Sequence, residues 1–479
     1  MNKRILNRSN INKTINYLRK NGIKHACYAA LERIGEDHNE DYIYIKPDEK
    51  TLADQREGWK KFPYRFSIVV PAYETKEEYL REMIDSVRGQ SYERWELIIA
   101  DASAGNRVEE IVAQYQEKEH ERRIRYIKLV ENRGISENSN VGIDAAEGDY
   151  IALLDHDDLL TEDALYEMAA AIEQNSVEGR KPALLYSDED KYESNYGDRH
   201  ENINTNKNNI CYFREPHKKY EFNLDLILSN NYICHLMMVD SNLMKSFKLR
   251  MKFDGAQDYD LVLRVISKLM DEMPVQEVGK NIIHVPRILY HWRCHKGSTA
   301  ENTASKAYAY EAGKAALEDF CKERNWNVKV THALHLGFYQ IEYLPDIFTV
   351  RPEIGIIGGR VLNRNNKITS GIYNKNGERL YKGVYKEYSG GRTHRASLMQ
   401  ECAAVDIRCI RIRKELQTLF TEITGVIYKE TGTQKLADVS AVACDEEGYK
   451  QLSMKLGKEA AKRGYLIVWC PELTVNTKG

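Results

Sequence analysis

The chain has 479 residues, of which 42% are hydrophobic and 30% charged, a balance typical of globular proteins with a packed core. The formal net charge of −2 argues against the strongly basic surface of a nucleic-acid-binding protein, so we expect no nucleic-acid partner. Nine scattered cysteines, none in a Cys-x-x-Cys pair, favour a reducing compartment. We find no apolar run long enough to cross a bilayer and no secretory leader, so we expect a cytoplasmic protein.

The N-terminal residues 1–62 are predicted to form a helical extension. Their first 25 positions carry seven basic residues and no acid: Lys3, Arg4, Arg8, Lys13, Arg19, Lys20 and Lys24. A basic amphipathic helix binds anionic membrane surfaces, which would make the protein peripheral on the inner face of the cell membrane. The alternative is a helix packed on the next domain, which the short apolar stripe of Ile11, Ile15 and Leu18 favours.

Apolar strands and amphipathic helices alternate four times between residues 66 and 158. The patterns predict strands at 66–70, 97–100, 124–130 and 150–154, and helices at 77–87, 108–115 and 136–146. This alternation is typical of a parallel, doubly wound α/β sheet. Such sheets bind ligands beyond the carboxyl ends of their strands. The loops that begin near Pro71, Asp101 and Asp155 should therefore converge on one crevice.

The rest of the chain predicts fewer elements. Residues 193–219 are polar and rich in Asn, which indicates a loop beside the site, either a lid or a simple insertion. The patterns then predict strands at 183–186 and 281–292, an Ala-rich helix at 302–324, and a smaller α/β segment with strands at 354–357 and 466–469. The predicted domains are 1–62, 63–300, a helical linker at 301–340, and 341–479.

The strongest chemical signal is the run Asp155-His156-Asp157-Asp158 directly after a predicted buried strand. When a sugar–diphosphate bond breaks, negative charge grows on the leaving group, and a divalent cation held by carboxylates neutralises that charge. Hard oxygen ligands suit Mn²⁺ or Mg²⁺, so we expect Asp155 and Asp157 to bind one of these metals. The structural alternative is an acidic cap on the helix predicted at 162–172.

Eight ordered segments extend this signal over about residues 63–300. They are 67–73 (SIVVPAY), 95–101 (WELIIAD), 131–136 (ENRGIS), 150–158 (YIALLDHDD), 186–191 (YSDEDK), 231–235 (NYICH), 253–263 (FDGAQDYDLVL) and 284–299 (HVPRILYHWRCHKGST). The chain resembles the bacterial family 2 glycosyltransferases of the GT-A fold, and most of all those that build rhamnan, O-antigen and other cell-surface polysaccharides. The resemblance implies a GT-A doubly wound α/β domain that binds a nucleotide sugar, followed by a smaller, degenerate α/β domain.

The resemblance also implies an activity and a donor site. The activity is inverting, metal-dependent transfer of a hexose-type sugar from a UDP- or dTDP-sugar to a hydroxyl of a glycan or lipid-linked glycan. The residues implied for the donor are Pro71, Tyr73, Glu74, Asp101, Asn132, Gly134 and Asp155. Among them Tyr73 would stack on the base and Asp101 would accept a hydrogen bond from it.

The general base and the acceptor residues are implied in the same way. Asp258 would deprotonate the acceptor hydroxyl, and a carboxylate at a helix start is stabilised as the anion by the helix dipole. A capping role is the alternative, and Asp260 is the nearest rival for the base. The residues implied for the acceptor or the diphosphate are Asp188, Asp190, His235, His291, Trp292 and Arg293.

The chain departs from the family pattern at two positions. Ala102 follows Asp101 where the family often has a second acid, and Gln257 precedes Asp258 where Glu is usual. The second change keeps the base itself, whereas the first can alter the contacts to the nucleotide.

Two other functions compete with sugar transfer. A sugar-phosphate nucleotidyltransferase would need a Gly-rich, basic loop after the first strand, and residues 71–76 contain no glycine. A non-catalytic glycan-binding or scaffold protein would not need Asp155, Asp157 and Asp258 together. The C-terminal part faintly resembles the back half of another family 2 domain, with 445–447 (DEE) where that domain has its acids. Since no strand there precedes an Asp-x-Asp, we expect no catalytic site in it.

Overall fold

A computed structural model describes residues 42–118, 121–176, 181–194, 211–294 and 307–477, together with isolated positions between 18 and 31. The chain divides into two compact units. The larger unit comprises Tyr42–Phe222 and Asn231–Asn325, and the C-terminal unit comprises Met1–Asp41, Asn223–Asn230 and Trp326–Gly479. Within the described residues, no helix combines the length and the apolar character that crossing a bilayer requires.

Two predicted segments fall largely outside this description. Of the seven basic residues near the N-terminus only Lys24 is described, and it forms an ion pair with the buried side chain of Glu387. The proposed membrane contact therefore stays a prediction. The centre of the predicted polar loop, 195–210, is likewise outside the described residues, whereas both of its ends are strands.

The helices of the described residues follow in chain order. They are α1 (Glu49–Gly58), α2 (Glu77–Arg88), α3 (Arg107–Lys118), α4 (Ile135–Ala145), α5 (Ala164–Asn175), α6 (Leu224–Ile227), α7 (Ser241–Phe247), α8 (Gln257–Glu272), α9 (Val275–Val278), α10 (Ala307–Glu323), α11 (Ile347–Val350), α12 (Gln417–Thr424) and α13 (Glu446–Lys462). Short 3₁₀ helices include Trp59–Lys61, Met251–Phe253 and Gly279–Asn281 in the larger unit.

The strands of the larger unit are β1 (Phe66–Ala72), β2 (Trp95–Asp101), β3 (Ile124–Lys128), β4 (Tyr150–Leu153), β5 (Leu159–Leu160), β6 (Leu184–Ser194), β7 (Cys211–His217), β8 (Met237–Asp240) and β9 (Ile282–Arg293). Those of the C-terminal unit are β10 (Val328–His332), β11 (Tyr339–Tyr343), β12 (Ile354–Leu362), β13 (Ile368–Ser370), β14 (Ile372–Tyr373), β15 (Gln400–Glu401), β16 (Ala404–Val405), β17 (Ile410–Ile412), β18 (Glu430–Thr431), β19 (Leu436–Ala437) and β20 (Leu466–Asn476). The predicted alternation of strands and helices from β1 to β4 is confirmed.

The sheet of the larger unit is mixed, whereas the sequence pattern predicts a parallel one. Its order is β3-β2-β1-β4-β8-β6-β9-β5, with β7 paired to β6. Strands β1 to β4 are parallel, but β8 lies between β4 and β6 and is antiparallel to both. Apolar runs do not encode strand direction, so the alternation could not predict this insertion. The α/β class and the GT-A-like architecture are nevertheless confirmed.

Burial explains why these segments form their elements. Strands β1 and β2 are apolar runs buried along nearly their whole length, as expected for strands covered on both faces. Helix α2 buries one stripe, formed by Leu80, Met83, Ile84 and Val87, against the same core. Burying each such side chain contributes roughly 1.5–3 kcal/mol, so these contacts hold the strand ends in place.

Two strand ends differ from the predictions. Strand β3 stops at Lys128, and Val130 is fully exposed beyond it. Strand β6 is predicted to end at Tyr186, but it continues to Ser194 because β9 pairs with it as far as Tyr192 and β7 pairs with its last residues. The acids at 188–190 therefore lie within a strand and not in a loop after one.

The C-terminal unit has its own sheet and core. Strand β12 is parallel to β20, and β13, β15 and β17 pair antiparallel to them. Trp469 is buried in the centre of this core. The acids at 445–447 do not form a strand-end motif, because Asp445 caps α13 by accepting a hydrogen bond from the Gly448 amide, and Glu446 pairs with Arg408.

Candidate active site

The loops after β1 and β2 are joined to each other at the carboxyl edge of the sheet. Ala72 and Asp101 are register partners at the two strand ends. Beyond them the Glu74 amide donates to Ser103 Oγ at 2.8 Å, and the Ala104 amide donates to Glu74 Oε1 at 2.9 Å. Strand β4 pairs with the other side of β1, so the loop from Asp155 starts at the same edge.

The loop after β1 leaves one aromatic ring open to solvent. Tyr73 exposes 51% of its surface, whereas the neighbouring Ala72 and Thr75 are buried. Glu74 adopts a left-handed backbone conformation with φ +48°. Its two hydrogen bonds, to the Ser103 side chain and from the Ala104 amide, stabilise this conformation. The tyrosine is therefore presented by a fixed loop and offers a ring face for stacking.

Asp101 is fully buried and held by three donors. The Ser103 amide donates to its Oδ1 at 2.9 Å, while Tyr126 Oη and Lys128 Nζ donate to Oδ2 at 2.8 and 3.0 Å. Sequence reasoning missed Tyr126 and Lys128, although their i, i+2 spacing on β3 puts them on one face beside β2. This carboxylate fixes the loop after β2. Both of its oxygens already accept hydrogen bonds, so a nucleotide base that bound Asp101 would share these oxygens with the protein's own donors.

The turn before α4 is closed by Asn132 and Gly134. Asn132 Oδ1 accepts hydrogen bonds from the Gly134 amide at 3.0 Å and from Asn138 Nδ2 at 2.9 Å. Gly134 has φ +95°, and a Cβ atom there would lie 2.5 Å from Asp254 Oδ2. Asp254 also accepts a hydrogen bond from the Ser136 hydroxyl. The turn thus needs glycine for both its conformation and its closeness to the 251–256 segment.

Carboxylates crowd together beyond β4. Burial raises the pKa of Asp155, the charges of Asp157 and Asp258 raise it further, and those of His235 and His156 oppose them. Burial and the charges of Asp155 and Asp157 also raise the pKa of Asp158 well above its usual range. The structure thus brings Asp155, Asp157, Asp258 and His235 into one electrostatic neighbourhood, although they come from three separate segments of the chain.

Arg293 is a buried support for this acidic loop. Its exposure is 1%, and its guanidinium donates to the Asp157 carbonyl oxygen and to Glu82. The guanidinium also lies over the rings of Tyr79 and Tyr192, at 4.5 and 4.7 Å from their centroids. The sequence predicted that Arg293 borders the diphosphate and the acceptor. In the structure Arg293 has almost no exposed surface, and its guanidinium binds the backbone of the acidic loop.

His235 lies beside the acidic cluster and is held by Glu189. The His235 amide donates to Glu189 Oε2 at 2.6 Å, and its Nδ1 lies 3.2 Å from the same oxygen. The imidazole stacks on Tyr290 with ring centroids 4.9 Å apart, and the Tyr290 hydroxyl donates to Asp158. Burial alone lowers the pKa of His235, but the hydrogen bond and charge of Glu189 outweigh burial and raise it to about 9.

Glu189 is the acid of β6 that faces this cluster. Burial opposes its ionisation, but the charge of Lys219 and hydrogen bonds from His217 and His235 lower the pKa of Glu189 well below its usual range. Sequence reasoning selected Asp188 and Asp190 instead, because it placed all three acids in a loop. Within a strand, alternate side chains point to opposite faces, and this period would have separated Glu189 from its neighbours.

Asp188, Asp190 and His291 form buried pairs instead of an open acceptor surface. Asp190 Oδ1 lies 2.5 Å from His291 Nδ1, its Oδ2 accepts from Tyr42 Oη at 2.7 Å, and the Tyr44 ring packs edge-on against the imidazole. Asp188 accepts from the Lys219 amide and lies 2.8 Å from a ring nitrogen of His284. All three predicted residues are at most 5% exposed. Their predicted contact with an acceptor therefore lacks an accessible surface.

Trp292 differs from these pairs because it is half-buried and lies near His235, with ring centroids 6.0 Å apart. Of the six residues predicted for the acceptor or diphosphate, Arg293 is buried under the acidic loop, whereas His235 and Trp292 lie close to each other and keep part of their surface exposed.

The two candidates for the general base differ in their partners. Asp258 is half-buried in the first turn of α8, and Asn231 Nδ2 donates to its Oδ2 at 3.0 Å. Asp260 is 1% exposed and bound by two arginines, with Arg250 Nε at 3.0 Å and Arg264 Nη2 at 2.7 Å from its Oδ2. Two ion pairs therefore hold Asp260 in the core, whereas Asp258 keeps part of its surface exposed.

The donor set for a cation consists of two carboxylates. Within the described ranges no group of three or more His, Cys, Asp or Glu side chains has a metal-binding arrangement. Asp155 and Asp157 supply hard oxygen atoms, and their mutual repulsion is what a cation would relieve. Mg²⁺ commonly takes one or two carboxylates and completes its shell with water and substrate phosphates, so the residues present fit such an ion.

The sheet order and the acidic loop beyond its fourth parallel strand place the larger unit among α/β domains of the GT-A type. Residues 67–245 match the family model described as "Glycosyl transferase family 2". The larger unit is therefore similar, over these residues, to glycosyl transferase family 2.

Curated relatives match the same region. The chain is 38% identical over 255 residues to an uncharacterised protein of Sinorhizobium fredii, covering 53% of this chain and 25% of that one. It is 29% identical over 291 residues to the O-antigen biosynthesis protein RfbC of Myxococcus xanthus, covering 60% and 20%. It is 32% identical over 202 residues to an uncharacterised glycosyltransferase of Methanocaldococcus jannaschii, covering 42% and 64%. The chain thus spans a quarter or less of the first two relatives.

Proposed function

We propose that the protein is an inverting, metal-dependent glycosyltransferase that moves a sugar from a UDP- or dTDP-sugar to a hydroxyl of a glycan or lipid-linked glycan. The observation that carries the proposal is the neighbourhood of Asp155, Asp157 and Asp258 at the carboxyl edge of a GT-A-type sheet. The resemblance to an O-antigen biosynthesis protein supports a role in cell-surface polysaccharide synthesis.

The proposed chemistry follows from the partners of each residue. Asp155 and Asp157 would hold Mn²⁺ or Mg²⁺, which neutralises the charge that grows on the diphosphate. As the acceptor oxygen forms its bond to the anomeric carbon, the bond to the phosphate oxygen breaks and the nucleoside diphosphate leaves with the electron pair. The hydroxyl proton passes to Asp258, which lies in the first turn of α8 and accepts a hydrogen bond from Asn231.

The remaining residues of the proposed site would bind and orient the substrates. The exposed ring of Tyr73 suits stacking on the pyrimidine, with Asp101 and the 132–134 turn shaping the donor side. His235 carries a positive charge at neutral pH because its pKa is about 9, so it can donate to a diphosphate or acceptor oxygen. Trp292 would border the acceptor.

Two variants test this proposal in a sugar-transfer assay with purified full-length protein, a panel of nucleotide sugars and Mn²⁺. Asp157→Ala should abolish metal-dependent transfer. Asp258→Asn should lower kcat by roughly 10²- to 10⁴-fold with little change in donor affinity, because it removes the base but not the donor site. Normal transfer by either variant would refute the role assigned to that residue.

Asp260→Asn is the matched control, since it changes a carboxylate two residues away on the same helix. It should lower the free energy of unfolding by about 3–5 kcal/mol, because it weakens a buried pair with two arginines. Its kcat per folded molecule should stay within a few-fold of the wild-type value. Consumption of a nucleoside triphosphate instead of a nucleotide sugar would point to a nucleotidyltransferase.

A further inference from the structure

Lys128, the last residue of β3, lies beside the loop that follows β2. It is the register partner of Asp101, the last residue of β2, so the two side chains lie on the same face at the carboxyl edge of the sheet. The Lys128 side chain is 34% exposed. The sequence pattern gives this lysine no role, and the proposed function does not use it.

The Lys128 ammonium group makes three hydrogen bonds, each to a different residue of this stretch. Nζ donates to Asp101 Oδ2 at 3.0 Å, to the Ser103 carbonyl oxygen at 2.7 Å and to the Gly105 carbonyl oxygen at 2.7 Å. An ammonium group has three donors, so these bonds use all of them. Lys128 therefore binds the loop after β2 at three points and, while these bonds hold, has no donor left for a diphosphate.

Ser103 connects these bonds to the loop after β1. Its carbonyl oxygen accepts from Lys128, whereas its hydroxyl oxygen accepts from the Glu74 amide at 2.8 Å. The neighbouring Ala104 amide donates to Glu74 Oε1 at 2.9 Å. Glu74 directly follows Tyr73, the exposed ring that is proposed to stack on the base. The position of the loop after β2 therefore bears on both loops that would flank a pyrimidine.

Other contacts hold the two ends of the loop after β2. At its start the Ala102 amide donates to the last residue of β1 at 2.9 Å, and Tyr126 Oη donates to the Asp101 carboxylate at 2.8 Å. At its end Arg107, the first residue of α3, pairs with an acid of α2. The centre of the loop is held by Lys128 and by the loop after β1. Tyr126 binds the same carboxylate as Lys128, so the two side chains can be tested against each other.

We propose that Lys128 is a positioning residue of the donor site, which holds the loops after β1 and β2 in the arrangement that accepts the nucleotide base. The inference rests on the proposed pyrimidine nucleotide donor and on the base-binding roles proposed for Tyr73 and Asp101. Loops that are held before binding lose less conformational entropy when the ligand arrives, so their contacts contribute more to affinity. Lys128 would thus set the affinity for the nucleotide and leave the chemical step to the loop after β4 and to α8.

Binding of UDP and of inorganic pyrophosphate to the full-length protein, each with Mn²⁺, separates the base from the diphosphate. Lys128→Met keeps most of the apolar side chain but removes its charge and its donors. It should weaken UDP binding about 10- to 100-fold, as expected for lost charged hydrogen bonds, while the Kd of pyrophosphate stays within about two-fold. In the transfer assay the same variant should raise the KM for the donor by a similar factor and leave kcat nearly unchanged. Isothermal titration calorimetry measures both Kd values.

Arg125→Met is the matched control, because it changes a cation on the same strand that binds the buried Glu96. It should lower the thermal transition of the protein and leave the Kd of UDP unchanged, which separates a loss of stability from a loss of positioning. Tyr126→Phe removes one bond to the carboxylate and leaves the bonds of Lys128 to the two carbonyl oxygens in place. It should therefore weaken UDP binding less than Lys128→Met does.

Four results would overturn the inference. An unchanged Kd of UDP in Lys128→Met would remove the positioning role and leave the proposed function intact. Equal weakening of UDP and pyrophosphate would show that Lys128 acts on the diphosphate or on the whole site. An equally large effect of Tyr126→Phe would show that the carboxylate alone matters. If the wild type binds neither UDP nor dTDP, the proposed donor fails first and this inference fails with it. Thermal melts of each variant, with binding measured below the lowest transition, exclude misfolding as the cause.

Discussion

Neighbouring carboxylates in this protein differ in function because they meet different partners. Asp258 and Asp260 share the first turn of α8, yet an amide group donates to Asp258 whereas two guanidinium groups hold Asp260. Asp157 and Asp158 differ in the same way, since Asp158 is 1% exposed and bonded to Tyr290 and the Arg293 amide. Residue type alone does not separate a base or metal ligand from a structural acid.

The Glu189–His235 pair makes a prediction about pH at the residue scale. The folded-state pKa of His235, about 9, lies above the ordinary value of 6.5, so the pair stabilises the fold fully below about pH 6.5. That contribution is lost as pH rises through 9. Glu189→Gln should remove it, so the wild type should lose about 2 kcal/mol more unfolding free energy than the variant between pH 6 and pH 9.5.

Urea unfolding at the two pH values, without divalent metal, measures this difference. Glu147→Gln is the control, because Glu147 is exposed and its ion pairs are with Arg65 and Arg125. Parallel losses in the wild type and Glu189→Gln would contradict the prediction.

At the scale of elements, the site is built from strand ends and helix starts. Helix α4 begins directly after Gly134, and α8 begins at Gln257, with Asp258 in its first turn. The two elements meet where Gly134 approaches Asp254. The donor side and the base side of the proposed site therefore share one tight contact.

Gly134→Ala should weaken this contact for two reasons. The added Cβ would lie 2.5 Å from Asp254 Oδ2, and alanine disfavours φ +95°. We expect a loss of about 1–3 kcal/mol in unfolding free energy and weaker donor binding. Gly105→Ala, on another exposed loop of the same edge with nothing within 4 Å of its Cβ, should be neutral or slightly stabilising. Equal effects of the two variants in denaturant unfolding would show that the 134–254 contact does not matter.

At the scale of the whole molecule, the chain combines one proposed donor site with a unit that has none assigned. The C-terminal unit has its own core around Trp469, but the acids that its sequence offers cap a helix and pair with arginine. Residues 223–230 also belong to this unit.

Hydrogen exchange of the full chain should therefore respond to the donor in one unit. With a nucleotide sugar and Mn²⁺, amides at 71–74, 101–104 and 155–158 should exchange more slowly, because ligand binding stabilises only the states that carry the site. Amides of β12 and α13 should exchange at the same rate with and without the donor. Mass spectrometry of peptides from both units measures this, and Asp157→Ala should remove the slowing. Protection centred on β12 would reveal a donor site in the C-terminal unit.

Local patterns were sufficient for the elements that form the site. The runs at β1, β2 and β4, the stripe of α2 and the acidic loop at 155–158 are properties of adjacent residues, and the structure contains each of them near its predicted position. The GT-A fold class was likewise predictable, because eight motifs occur in a fixed order. The sequence also favoured Asp258 over Asp260, although it offered no partner to decide between them.

Only the tertiary structure decided which polar side chains are paired with other buried side chains. Asp190 meets His291 across 101 residues and Glu189 meets His235 across 46, and no local period predicts such pairs. The direction of β8 and the passage of 223–230 into the C-terminal unit are decided in the same way. The physical reason is that burial and pairing are free energies of contacts between distant segments, whereas strand and helix patterns depend on neighbours along the chain.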